Sequence, residues 1–202
     1  MKIPVTKMRL FWFYKRIFDI VVSLLLLPVL FLISSVLLFS SIFFKNKKVF
    51  YIQKRMGKNC EPFYAIKFRT MEPVKEITRK FNDLIETDRI TPFGKFLRKS
   101  RIDELPQILN VLKGDMSLIG PRPDYYIHAL EYVKIVEGYR DRHIIRPGIT
   151  GLSQIRLGYA EGLEATAKKA SIDNYYIQHV NYIIELKIIG NTLITILRGL
   201  GK

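Results

Sequence analysis

The run Ile17-Phe18-Asp19-Ile20-Val21-Val22-Ser23-Leu24-Leu25-Leu26-Leu27-Pro28-Val29-Leu30-Phe31-Leu32-Ile33 continues through Ser34-Ser35-Val36-Leu37-Leu38-Phe39-Ser40-Ser41-Ile42-Phe43-Phe44 with almost no polar break. It is long enough to cross a bilayer as a helix. Three details argue against a simple span. Both flanks are basic, with Lys15 and Arg16 before the run and Lys45, Lys47, Lys48, Lys54 and Arg55 after it. Loops rich in Lys and Arg stay in the cytoplasm, so both flanks are expected on one side. Pro28 removes a backbone donor inside the run, which kinks or breaks a helix. Ser34, Ser35, Ser40 and Ser41 offer hydroxyls to backbone groups freed near a bend. The expectation is a re-entrant helix–break–helix that enters one leaflet and returns. The alternative is a kinked transmembrane helix with one flank outside. Asp19, at the apolar edge, is expected to pair with Lys15 or Arg16 one turn back.

Upstream, Lys2, Lys7, Arg9, Lys15 and Arg16 interleave with Phe11, Trp12, Phe13 and Tyr14, the pattern of an interfacial anchor. A signal-peptide reading fits less well, because the apolar run is too long and no small-residue cleavage site follows it. The chain therefore divides near residue 45 into an anchor, 1–45, and a domain, 46–202.

The charge is +15, from 33 basic and 18 acidic residues, so the partner is anionic: a nucleic acid, a phosphorylated ligand or a lipid surface. One cysteine, Cys60, excludes an intrachain disulfide, and no His/Cys metal cluster or Walker loop is present. His128, His143 and His179 are scattered and form no triad pattern.

The domain reads as α+β and helix-dominated. Val49–Met56 and Pro62–Met71 read as strands around a turn at Gly57-Lys58-Asn59, a small β-hairpin. Lys67 and Arg69 alternate along the second strand and share a face. Residues 72–88 read as a loop or a short helix. Thr91–Lys99 begins as a turn and continues as a basic amphipathic helix, with Phe93, Phe96 and Leu97 at helical spacing. Helices are also expected over 124–139, over 161–179 and over 182–200. The first of these reads as structural. The last is apolar enough to pack on the core or lie in the lipid interface.

The chemistry concentrates in Ser100-Arg101-Ile102-Asp103-Glu104-Leu105-Pro106-Gln107. Taken alone, Asp103 and Glu104 read as a helix N-cap with dipole complementarity, and Gly114 ends that helix. Their surroundings suggest more. Arg98 and Arg101 flank the pair, and two rigid arginine loops follow: Gly120-Pro121-Arg122-Pro123 and Arg146-Pro147-Gly148-Ile149-Thr150-Gly151. Arginine forks suit bidentate contact with phosphate.

With these residues collected, the chain resembles the small monotopic phosphoglycosyl transferases, also called bacterial sugar transferases. The likeness runs from about Lys15 to the C-terminus. It includes Lys15-Arg16-Ile17-Phe18-Asp19, Gln53-Lys54-Arg55-Met56-Gly57, Lys67-Phe68-Arg69-Thr70-Met71 and Asp103-Glu104-Leu105-Pro106-Gln107. It continues through Gly114-Asp115-Met116-Ser117-Leu118-Ile119-Gly120-Pro121-Arg122-Pro123 and the Arg146–Gly151 loop. The resemblance implies a monotopic enzyme of the bacterial inner membrane whose active site faces the cytoplasm. Such enzymes move a sugar 1-phosphate from a UDP-sugar to polyprenyl phosphate, normally undecaprenyl phosphate, and release UMP in the first step of glycoconjugate or polysaccharide synthesis.

On that likeness Asp103 is the nucleophile and Glu104 completes the dyad. Lys67, Arg69, Arg98, Arg122 and Arg146 match basic positions around the phosphates, and Asp173 matches an acidic position in a late helix. Mg2+ is the family cofactor, with Asp103 as its assigned ligand. Membrane lipid is a partner, nucleic acid is not, and a homo-oligomer is compatible with the sequence. Two stretches depart from the family pattern. Leu27-Pro28 stands where some members have Ser-Pro, and Arg156-Leu157-Gly158-Tyr159 stands where many have Gly-Arg. The rival readings are a non-catalytic, membrane-anchored basic adaptor and a tethered nucleic-acid binder. Neither explains carboxylates set among arginine loops.

Overall fold

The computed structural model describes residues 9–42, 48–74, 87–158 and 162–199. The basic arm before Arg9, Lys45 and Lys47, most of the 72–88 segment and Tyr159 lie outside the described residues. The elements run α1 (Arg9–Ser41), β1 (Phe50–Met56), β2 (Pro62–Phe68), α2 (Pro92–Lys99), α3 (Gln107–Lys113), β3 (Ser117–Ile119), α4 (Tyr126–Ile135), β4 (Gly148–Thr150), α5 (Leu152–Leu157), α6 (Gly162–His179) and α7 (Tyr182–Leu197). Helices dominate, as expected. β1 and β2 form the expected antiparallel hairpin, with Tyr51 opposite Lys67. The sequence reading missed a second sheet, in which β3 and β4 pair in parallel.

α1 is one helix of 33 residues, about 50 Å long at 1.5 Å per residue. Pro28 lies inside it, so the expected helix–break–helix is not what the described backbone shows. An internal proline costs about 3 kcal/mol. Packing on both sides of it offsets that cost: Leu26, Leu27, Leu30 and Ile33 join a core cluster with Phe68, Leu97 and Ile108.

The buried face of α1 is a stripe of Phe11, Lys15, Asp19, Ser23, Leu30 and Leu37, spaced by four or seven residues. The stripe lies along the rest of the protein. Phe11 enters a cluster with Ile145, Tyr176, Ile177 and Ile188. The opposite face exposes large apolar side chains, among them Leu25 and Phe31 at 71% and 75%.

Asp19 does not pair with its own helix. Its Oδ1 accepts from the Leu118 backbone N–H at 3.1 Å, at the start of the β3 region. Lys15 instead donates to Glu185 on α7, and Tyr176 on α6 donates to the same carboxylate. Arg16 donates to the carbonyls of Val111 and Leu112 at 2.7 and 3.1 Å. The reason is geometric. The stripe that carries Lys15 and Asp19 faces protein, so tertiary partners replace the one-turn-back pair.

α2 is the expected amphipathic helix. Thr91 caps it by accepting from the Gly94 N–H at 2.9 Å, Leu97 is buried, and Phe93 and Phe96 are exposed. α7 likewise exposes Ile183, Leu186 and Leu197.

Removing one partner of a buried ion pair leaves the other charge uncompensated. Lys15→Met is therefore expected to destabilise the detergent-solubilised protein by about 3–5 kcal/mol. The double variant Lys15→Met/Glu185→Met should recover most of that loss. Denaturant unfolding checks both values, and a double variant no better than the single would contradict the pairing.

Candidate functional site

Asp103 and Glu104 sit on one 3-10 turn, Ile102–Glu104, and both are buried. They do not cap α3, whose N-cap is Pro106 without a side-chain cap bond. The physical reason is Arg101. Its φ of 57° is left-handed, a conformation costing a non-glycine residue about 1–2 kcal/mol. That residue reverses the chain after α2, and its carbonyl accepts the Glu104 N–H at 3.1 Å. The acidic pair is thereby held in a turn ahead of the helix.

Three cations take Glu104. Lys67 Nζ donates to Oε1 at 2.6 Å, and Arg122 forks onto both oxygens, with Nη1 at 3.1 Å from Oε2. Arg101 Nη1 lies 3.5 Å from Oε2. Burial alone would raise the Glu104 carboxyl, but Arg122 and Lys67 outweigh it and hold the group well below the usual carboxylate range. Asp103 is treated differently. Its Oδ1 is buried with no hydrogen-bond partner. Burial and the neighbouring Glu104 charge push it up to about 6, against the pull of Lys67, Arg122 and Arg98. Burial also pushes the Lys67 ammonium down to about 8, with Glu104 opposing. One carboxylate is thus locked ionised and saturated, and its neighbour is left open. Environments that separate two adjacent carboxylates in this way mark chemical division of labour.

Asp103 lines a cavity of about 510 Å³. Nine basic and three acidic residues line it, a balance that favours an anionic ligand. Of the predicted residues, Asp103, Lys67, Arg69, Arg98 and Arg122 line this cavity. Arg69 lies over the Tyr51 ring, and Arg98 Nε donates to Thr70 Oγ1 at 2.9 Å. Glu104 stands behind them. Arg146 and Asp173 are not brought to the cavity. Arg146 is exposed, and its Nε donates to the Gly114 carbonyl at the C-cap of α3. Asp173 is 1% exposed and is bound by Arg142.

Sequence reasoning missed several lining residues. α4 was expected to be structural, yet Tyr125, just before it, and His128 and Tyr132 within it line the cavity. Their i, i+3, i+7 spacing was the available signal. Arg55, part of a quoted motif, and Arg101, read as flanking the acidic pair, also line it; Ser153 and Gln154 from α5 do so too and carry no motif of their own. A larger cleft of about 770 Å³ lies around Glu137, Glu164 and Asn174, and none of the predicted site residues line it.

The family model for bacterial sugar transferases matches residues 10–199. The chain belongs to the bacterial sugar transferase family. It is 38% identical over 192 residues to a UDP-N-acetylgalactosamine-undecaprenyl-phosphate N-acetylgalactosaminephosphotransferase of Aeromonas hydrophila, covering 94% of this chain and 45% of that protein. It is also 38% identical over 191 residues to a UDP-glucose:undecaprenyl-phosphate glucose-1-phosphate transferase of Klebsiella pneumoniae, covering 92% of this chain and 40% of that protein. The chain thus spans less than half the length of these two relatives. A Bacillus subtilis relative, the uncharacterized sugar transferase EpsL, is 38% identical over 191 residues and matches over 93% of this chain and 89% of its own length.

The two arginine loops of this family member are packed backbone against backbone. A Cβ on Gly148 would lie 2.0 Å from the Gly120 nitrogen, and one on Gly151 would lie 2.2 Å from the Gly120 oxygen. Glycine is required there for close approach. Gly148→Ala is expected to destabilise the fold by about 2 kcal/mol or more through forced backbone separation. Thermal unfolding checks this, and an unchanged midpoint would contradict it.

Proposed function

We propose that this protein transfers a sugar 1-phosphate from a UDP-sugar to undecaprenyl phosphate and releases UMP, through a covalent Asp103 intermediate. The observation that carries the reading is the open Asp103 carboxylate beside a saturated Glu104, on the wall of a strongly basic cavity. The names of the Aeromonas and Klebsiella relatives support the substrate class, a UDP-hexose with undecaprenyl phosphate as acceptor.

An Asp103 oxygen attacks the phosphorus that carries the sugar. The new O–P bond replaces the bridging P–O bond, whose electron pair leaves on UMP. An oxygen of the polyprenyl phosphate then attacks the same phosphorus and expels the Asp103 carboxylate. The product is a polyprenyl diphosphate sugar, and the carboxylate is regenerated. Two displacements at one phosphorus predict ping-pong kinetics. Arg122, Arg98 and Arg69 reduce repulsion between carboxylate and diphosphate and stabilise charge in the transition state. Glu104 gathers Lys67, Arg101 and Arg122 beside the nucleophile.

A Mg2+ ion fits this donor set. Such ions are commonly held by one or two carboxylates together with substrate phosphates. Asp103 offers an unpartnered oxygen, and no cluster of three acidic or His/Cys ligands exists among the described residues. Asp103 would hold the ion, which when bound neutralises charge on the diphosphate.

We read α1 as a monotopic anchor of the bacterial inner membrane that does not stand upright across it, with the cavity on the cytoplasmic side. Its buried stripe supports this. Leu30 and Leu37 pack on the same core as Phe68 and Ile108, so an upright span would draw that core into lipid. The exposed apolar residues of α1, α2 and α7 supply lipid contact.

Asp103→Asn is expected to lower UMP release about 1000-fold or more, in a nucleotide-release assay with UDP-sugars and undecaprenyl phosphate. Wild-type rates in that variant would contradict the reading. The pH profile gives a second check. A carboxyl with its pKa raised to about 6 is protonated, and not nucleophilic, below that pH. The Lys67 ammonium, lowered to about 8, loses its charge above that pH. A bell-shaped kcat/KM with limbs near 6 and 8 is expected, and a flat profile from pH 5 to 9 would contradict it.

A further inference from the structure

Four consecutive carbonyls, Pro121 to Asp124, each accept a hydrogen bond from outside their loop. Gly148 N–H donates to Pro121 O at 2.9 Å, and Arg142 Nη2 donates to Arg122 O at 2.8 Å. Arg55 Nη1 donates to Pro123 O at 3.0 Å, and Met56 N–H donates to Asp124 O at 3.1 Å. Pro121 and Pro123 fix two further torsions. The peptide of Arg122 is therefore held from several sides at once.

Arg142 is the costly member of this set. Its side chain is 0% exposed. Nε donates to Asp173 Oδ2 at 2.9 Å, and Nη1 donates to Asp124 Oδ2 at 2.6 Å. Asp124 also accepts from Tyr139 Oη at 2.6 Å and from Lys169. Buried ionic networks of this kind are often no more stabilising than an apolar core of the same volume. What an apolar core does not supply is a donor to the Arg122 carbonyl. Neither Arg142 nor Asp173 lines the cavity. Asp173 orients the guanidinium, the guanidinium holds the Arg122 peptide, and the Arg122 side chain forks onto Glu104.

We propose that Arg142 and Asp173 are positioning residues that aim the Arg122 guanidinium at Glu104, beside the nucleophile. The proposal rests on the transferase reading above. It replaces a direct substrate role for Asp173 with one exerted through two arginines.

A double-mutant cycle separates positioning from general stabilisation. Asp173→Asn keeps the shape and leaves Arg142 paired with Asp124. Arg122→Lys keeps a cation but loses the fork. Wild type, both single variants and the double variant are compared by kcat/KM for UMP release in lipid nanodiscs. The expected result is that Asp173→Asn costs about 10-fold when Arg122 is present and no more than about 2-fold in the Arg122→Lys background. Equal factors in the two backgrounds would overturn the proposal, because a merely structural role acts independently of the fork. Should Asp173→Asn fail to fold, Tyr139→Phe, which removes one donor to Asp124, takes its place in the same cycle with the same criterion. Absence of UMP release from the wild-type protein would instead overturn the transferase reading itself.

Discussion

The Glu104 carboxylate is the interaction on which the site depends. It draws Lys67 from β2, Arg101 from the turn after α2 and Arg122 from the loop after β3 onto two oxygens. Three like charges converging in a mostly buried space would repel one another without it. With it, they form a stable floor, and their outward field acts on the neighbouring Asp103. That neighbour keeps a buried oxygen with no partner, an expensive condition in a folded protein. A site that saturates one acid and leaves the next open spends stability on chemistry.

The same economy governs the loops. Gly120 meets Gly148 and Gly151 so closely that no side chain fits between them. This contact pairs β3 with β4 and seats Pro121-Arg122-Pro123-Asp124 over the Arg142 network. The anchor joins the frame through Asp19 on the Leu118 N–H and Arg16 on the carbonyls that end α3. Arg146 on Gly114 closes the same helix end. α1 is thus tied to the elements that carry the site, and a displacement of the anchor would bear on β3 and α3 together.

Much of this was legible in the residues. The hairpin, the amphipathic α2, the helix end at Gly114 and the late helices follow from local rules of period and turn. The acidic pair among arginines was legible as a site because its members lie on motifs. What was not legible depends on distance in the chain. Asp19 was expected to find a cation one turn away, but it faces protein and bonds Leu118 instead. Taken alone, Asp103 reads as a helix cap, but a left-handed Arg101 sets it on a separate turn. Arg146 and Arg122 sit in similar Arg-Pro contexts, yet one reaches Glu104 and the other ends α3. Nothing local to Pro28 foretold that leucines on either side would hold α1 in one piece. Asp173 matched a site position by motif, yet it is buried behind the wall by its pairing with Arg142.

The central claim is that Asp103 becomes covalently bound to the sugar phosphate. The direct measurement is mass spectrometry of the protein, acid-quenched after mixing with a UDP-sugar in the absence of polyprenyl phosphate. The account predicts a mass increase of one sugar phosphate on the peptide containing Asp103, lost when undecaprenyl phosphate is added and absent in Asp103→Asn. UMP formed only when both substrates are present, with no adduct on that peptide, would contradict it.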